Sequence, residues 1–246
     1  MNVNHPLGSL PSPGEGEAHV WIALLSESTA QLARYNSLIS PEEMQRAIRF
    51  IRTEDRDRHI ATHGILRELL GRYLAADPAK LAFTTNPFGK PGLAQRDGKK
   101  MLSFNLTHSG NVILYVVAGS RQVGVDVELI RTDFDVMDLA QGQFSSAEVK
   151  ALQATCPNER SAAFFRCWTR KEAYIKARGE GLGFPLKEFS VSLGDNESPA
   201  ILWASDDPAV QERWSMFNLV PAPGYAGAVA IEGRPVQLVT RKWTAA

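Results

Sequence analysis

Asp126 and Glu128 lie in the run Val123-Gly124-Val125-Asp126-Val127-Glu128-Leu129. Its alternation at period two predicts a strand with four apolar side chains on one face and both carboxylates on the other. Their Cα atoms would stand about 6.6 Å apart, at roughly 3.3 Å per residue, a span that two carboxylates can close around one hard cation. Like charges side by side on a strand call for a compensating cation, although a solvated strand face is the simpler reading of the same pattern.

Glu172 sits in Phe164-Phe165-Arg166-Cys167-Trp168-Thr169-Arg170-Lys171-Glu172-Ala173-Tyr174-Ile175-Lys176-Ala177-Arg178-Gly179, where Phe165, Trp168, Glu172 and Ile175 follow one helical stripe. A carboxylate on an apolar stripe is costly to bury alone, so it needs a metal, a cation or a proton as partner. Lys176, one turn on, could serve. On an exposed helix such a pair contributes only about 0.2–0.5 kcal/mol, but the stripe argues against exposure. From Arg166 to Arg178 five basic residues oppose Glu172 alone, and from Gln45 to Arg72 seven arginines oppose four acids. Basic patches beside carboxylates suit a polyphosphate, with cations on its outer oxygens and a metal bridging carboxylate to phosphate. A solvated helix face would look the same. Gly179-Glu180-Gly181-Leu182-Gly183 follows a helix and opens no new one, so it is a helix stop and not a phosphate loop.

The elements that must position these groups are marked by their punctuation. Ser40-Pro41-Glu42-Glu43 predicts a helix start, running to about Phe50, and a second helix spans Thr53 to Leu74. Asn86-Pro87-Phe88-Gly89-Lys90-Pro91-Gly92 is a loop that holds Lys90 in a tight turn. Leu102–Leu106, Val112–Ala118 and Val123–Leu129 read as strands, with Thr107-His108-Ser109-Gly110 in the turn after the first, where His108 could donate to a phosphate. Ser145 and Glu148 form a capping box, and a long helix runs from Glu159 to Arg178. Strands then fill the C-terminus, the last over Val236–Thr240. Helices mixed with hairpin-linked strands in both halves favour an α+β fold with antiparallel sheets. The expected units are a flexible N-terminal tail over 1–17, an N-terminal half over 18–121 and a C-terminal half over 122–246 carrying the carboxylates.

A formal net charge of zero excludes a chain-wide polyanion partner such as nucleic acid. The longest apolar run, near Val112 to Ala118, is too short to span a bilayer. Cys156 and Cys167 have neither metal-finger spacing nor the density of a disulfide scaffold, so the cytoplasm is the expected location.

Gly124-Val125-Asp126-Val127-Glu128 and Trp168-Thr169-Arg170-Lys171-Glu172-Ala173-Tyr174-Ile175-Lys176 resemble the two signature motifs of the 4'-phosphopantetheinyl transferases. Phe104-Asn105-Leu106-Thr107-His108-Ser109-Gly110 and Phe88-Gly89-Lys90-Pro91 resemble that family's upstream motifs. The chain is about twice as long as the short trimeric members and is similar to the longer, surfactin-synthetase-activating type. The resemblance implies a monomer of two similar α+β halves related by a pseudo-twofold, with coenzyme A in the cleft between them. It implies transfer of the phosphopantetheine arm to a serine hydroxyl of an acyl or peptidyl carrier protein, with release of adenosine 3',5'-bisphosphate. By the same resemblance Asp126, Glu128 and Glu172 hold Mg²⁺, or alternatively Mn²⁺, while Lys171 and Lys176 neutralise phosphate. Glu172 is then a candidate base, and Arg46, Arg58, Lys90 and His108 hold the nucleotide phosphates. The variable segment Asp133 to Phe144, with Phe134, Val136, Met137 and Leu139, is where a carrier would dock. A metal-dependent phosphohydrolase and a non-catalytic coenzyme-binding module are the rival readings.

Overall fold

The computed structural model describes residues 9–94, 102–194, 197–234 and 236–244. Residues 1–8 of the expected tail lie outside this set; within the rest of it, the Leu10 amide donates to Arg72 O at 3.1 Å. In chain order the elements are β1 (Glu17–Leu24), α1 (Leu25–Ser28), α2 (Leu32–Leu38), α3 (Pro41–Ala47), α4 (Thr53–Leu74), β2 (Phe83–Thr85), β3 (Pro91–Leu93), β4 (Ser103–Ser109), β5 (Val112–Ala118) and β6 (Val123–Leu129). The chain continues through α5 (Val136–Gln143), α6 (Ser146–Ala154), α7 (Pro157–Arg178), β7 (Phe189–Val191), β8 (Ile201–Ala204), α8 (Val210–Arg213), β9 (Trp214–Leu219), β10 (Tyr225–Glu232) and β11 (Gln237–Lys242).

The N-terminal half is a four-stranded sheet in the order β11-β1-β5-β4, covered by α2 and α4. Two expectations need correction here. The last strand does not stay with the C-terminal half: β11 runs parallel to β1, so this sheet is mixed rather than antiparallel. A free β1 edge would expose a ladder of unpaired donors and acceptors, and β11 covers it. Trp243 follows it into the core, where its Nε1 donates to the Tyr35 hydroxyl at 3.2 Å. The second correction concerns β4. It does not stop at Leu106 but pairs with β5 through Ser109 opposite Val112, placing Thr107, His108 and Ser109 on a strand. At the other end of this half, α3 starts at the expected Ser40 cap, which forms a capping box with Glu43, and stops at Ala47, short of Phe50.

The C-terminal half packs the three-stranded antiparallel sheet β6-β10-β9 against α7. Val123, Val125 and Val127 point into a core shared with Val112, Leu114, Val116 and Ala118 of β5, so the two sheets close on each other. Gly124, Asp126 and Glu128 take the opposite face. A Cβ on Gly124 would lie 2.1 Å from Ala173 O and 2.3 Å from Ala177 N, so only glycine lets α7 approach β6 this closely. The helix ends at Gly179, whose φ of +74° is the left-handed cap that glycine adopts without penalty. Among the described residues no helix is long and apolar enough to cross a membrane.

Candidate active site

β4 and β6 belong to different sheets yet lie edge to edge, and side chains of β4 stand in for a backbone ladder. Asn105 Oδ1 accepts from the Val125 amide at 3.1 Å and Ser109 Oγ from the Leu129 amide at 3.1 Å. The same alternating residues reach the carboxylates. Thr107 Oγ1 donates to Asp126 Oδ1 at 3.1 Å, and Ser109 Oγ donates to Glu128 Oε2 at 2.8 Å. The i, i+2 spacing of Thr107 and Ser109 matches that of Asp126 and Glu128. That spacing could have revealed both hydroxyls, had their segment been read as strand instead of turn.

Asp126 is buried, and Lys176 Nζ donates to its Oδ1 at 2.6 Å. Its other oxygen, Oδ2, is buried and accepts no hydrogen bond among the described residues. Burial pushes the Asp126 carboxyl above its ordinary range, against the pull of Lys176. Glu128 is raised by burial and by Asp126, with the Ser109 hydrogen bond opposing. Glu172 is raised by burial, then by Asp126, and further by Glu128. Glu128 and Glu172 therefore feel Asp126, and Lys176 is the only cation that donates a hydrogen bond to any of the three among the described residues. No group of three or more His, Cys, Asp or Glu side chains is drawn together closely enough to hold a metal among those residues. The chemistry of the donor set nevertheless suits a hard divalent ion: three carboxylates, one with a buried oxygen in want of a partner.

The cleft beside these groups has a volume of about 270 Å³. Phe88, Gly89, Lys90, Pro91 and Asn105 line it from one half, and Glu172, Ile175, Lys176, Gly179 and Gly181 from the other. His108, exposed on β4, is lowered by loss of water around its ring, then by the positive fields of Arg58 and Lys176. Arg58 and Lys176 thus supply the positive field on this side of the site, and that field favours the neutral ring of His108. Arg46 joins this side only at a distance, through His59, whose imidazole is lowered to about 4 by burial and then by His63, with Arg46 adding to the effect. The His59 and His63 rings lie 4.3 Å apart on α4.

Two lysines expected at phosphate are engaged within the chain. Lys171 is fully buried, bonded to Glu148 Oε1 and Oε2 at 2.8 and 2.7 Å and to Phe189 O at 2.7 Å, with its ammonium over the Phe189 ring. Helix geometry turns it away from Glu172 and into the C-terminal core, where no phosphate reaches it. Lys90 lines the cleft, but its Nζ donates to Ala177 O at 2.8 Å, Val123 O at 3.1 Å and Gln122 Oε1 at 3.2 Å, which uses all three donors. In the expected docking segment, Val136 is buried and Phe134 and Met137 pack against the core, leaving Leu139 as its exposed apolar residue.

Residues 122–230 match the family model described as the 4'-phosphopantetheinyl transferase superfamily. Residues 25–122 match the model of a 4'-phosphopantetheinyl transferase N-terminal region. The chain is 38% identical over 217 residues to the 4'-phosphopantetheinyl transferase HetI of Nostoc sp., covering 88% of each protein. It is 30% identical over 197 residues to the 4'-phosphopantetheinyl transferase Sfp of Bacillus subtilis, covering 80% of this chain and 83% of that one. AcpT of Salmonella typhimurium, also a 4'-phosphopantetheinyl transferase, is 37% identical over 113 residues, or 46% of this chain and 56% of AcpT. With both halves matched in turn and a full-length relative at this identity, the chain belongs to the 4'-phosphopantetheinyl transferases, in the longer type represented by Sfp and HetI.

Proposed function

We propose that this enzyme transfers the 4'-phosphopantetheine arm of coenzyme A to a serine hydroxyl of an acyl or peptidyl carrier protein, releasing adenosine 3',5'-bisphosphate. The observation that carries the metal-dependent form of this reading is the buried, partnerless Asp126 Oδ2 beside Glu128 and Glu172. Asp126, Glu128 and Glu172 would hold Mg²⁺ or Mn²⁺. Bound there, the ion would supply Lewis-acid polarisation of the phosphoryl oxygens and offset pyrophosphate charge.

This chain's own residues supply the rest. Lys176 stands beside Asp126 with part of its side chain open to the cleft, positioned to neutralise a phosphate oxygen. Arg58 and Lys176 give this side a positive field that suits the nucleotide phosphates, the neutral His108 ring can donate one N–H to a phosphate oxygen, and Arg46 extends that field. Glu172 lines the cleft with no hydrogen bond or ion pair among the described residues, and it would take the serine proton directly or through a water. The serine oxygen bonds to the phosphorus bearing the pantetheine arm as its bond to the 5'-phosphate breaks, and the nucleotide bisphosphate departs.

The two halves each back a sheet with a 22-residue helix, α4 and α7, which supports reading them as pseudo-twofold relatives within a monomer. Mass spectrometry of apo-carriers incubated with coenzyme A and Mg²⁺ tests the reaction. The expected result is a serine-linked gain of one phosphopantetheine arm. Hydrolysis of coenzyme A without carrier, with no arm transferred, would make the chain a phosphohydrolase.

A further inference from the structure

We propose that Lys90 and Asn86 form a latch, reaching from the N-terminal half to fix the end of α7 and thereby to set where Glu172 and Lys176 stand in the cleft. The proposal rests on the transferase reading above and assigns Lys90 a positioning role in place of a phosphate contact.

The turn that carries both residues is rigid by its own bonding. Asn86 Oδ1 accepts from the amides of Phe88 and Lys90 at 3.0 and 2.8 Å, and the Asn86 amide donates to Lys90 O at 3.0 Å. From that turn two side chains cross to the other half. Asn86 Nδ2 donates to Gly179 O at 2.6 Å, and Lys90 Nζ donates to Ala177 O at 2.8 Å. Carbonyls at a helix C-terminus have no partner within the helix and carry the negative end of its dipole, so an amide and an ammonium are the complement they lack. Lys90 Nζ also reaches Val123 O at 3.1 Å, at the start of β6. One ammonium thus joins the helix bearing Glu172 and Lys176 to the strand bearing Asp126 and Glu128.

The fit allows little slack. A Cβ on Gly179 would lie 2.9 Å from Lys90 Cδ and 3.1 Å from Asn86 Nδ2, so the loop is seated directly on the helix end. Burial pushes the Lys90 ammonium down to about 8, with Glu232 as the opposing charge, a cost that its three acceptors offset. Lys176 directly precedes Ala177, and Glu172 lies on the same rigid helix, so a shift at the latch is a shift at the site. Misplacing reacting groups by an ångström can cost about a hundredfold in rate.

The test compares wild type, Lys90→Met and Asn86→Ala by two readouts well below their melting temperatures. One is kcat for carrier modification at saturating coenzyme A, and the other is amide hydrogen exchange across the last turn of α7 and the start of β6 without coenzyme. The expected result for Lys90→Met is a fall in kcat of about tenfold to a hundredfold together with faster exchange at both places. Asn86→Ala shows smaller changes in the same direction, and it carries the test alone if Lys90→Met does not fold. Reduced kcat with unchanged exchange would make Lys90 a ligand of coenzyme phosphate and overturn the latch, as would unchanged kcat. A wild type that modifies no carrier would overturn the transferase reading and the latch with it, whereas an active wild type beside an unaffected variant overturns the latch alone.

Discussion

The two sides of α7 treat charge in opposite ways. On the side facing the C-terminal core, Lys171 meets both oxygens of Glu148 and the Phe189 carbonyl, and Arg170 meets Ser192 and Asn218. Glu148 is itself engaged by the Ser145 and Val191 amides. On the cleft side no hydrogen bond or ion pair holds Glu172 among the described residues, Asp126 keeps one partnerless oxygen, and three carboxylates are pushed upward together. The Lys171–Glu148 pair is compensated within the chain and serves the fold. Undersaturated charge in a cleft leaves work for a ligand to do.

That contrast makes the core side the place where a lost charge harms stability most. Lys171→Met strands Glu148 in the core and is expected to cost about 3–5 kcal/mol in urea denaturation, with kcat per folded molecule changed less than threefold. A variant as stable as wild type would break the comparison. Asp126→Asn is the converse case: transfer should fall about a hundredfold to a thousandfold, near 3–4 kcal/mol of activation free energy, while the melting temperature holds or rises because a strained buried charge has gone. Loss of folding without a specific loss of activity would contradict that. Gly124→Ala lies between them, since it forces α7 off β6; a destabilisation of about 1–3 kcal/mol should accompany reduced transfer.

The smallest effect concerns the far side of the cleft. Burial would raise the Glu43 carboxyl, but hydrogen bonds from His63, Arg67 and the Ser40 amide hold it at about 2, against an ordinary 4.5. Burial holds His59 at about 4, below its ordinary 6.5. In both cases the unfolded chain takes up the proton more readily, so stability is full above pH 6.5 and falls as the pH drops, from 6.5 to 4 through His59 and from 4.5 to 2 through Glu43. Each contributes about 1–2 kcal/mol after solvent screening. Urea midpoints measured from pH 7 to pH 3 should show the decline, and Glu43→Gln should flatten its lower part.

The positions of the three carboxylates were legible because their signal is local. Alternation put Asp126 and Glu128 on one face of β6, and helical spacing turned Glu172 inward. Caps at Ser40 and Ser145 marked two helix starts. What was not legible depends on which distant segment covers a residue. Lys171 looks like part of a basic patch until α6 and β7 enclose it. Thr107 and Ser109 look like turn residues until β6 lies against them. The parallel pairing of β11 with β1 joins residues more than two hundred positions apart, which no window of sequence can report. Lys90 stood out as a cation in a turn, but its acceptors are carbonyls of another half.

The central claim is that the undersaturated side of α7 and its facing strand hold a divalent ion against coenzyme A. Titration of Mn²⁺ into the protein with coenzyme A present, for wild type and Asp126→Asn, tests it most directly. One ion should bind wild type, with binding weakened at least tenfold in the variant. Equal affinity in the two proteins would contradict the account.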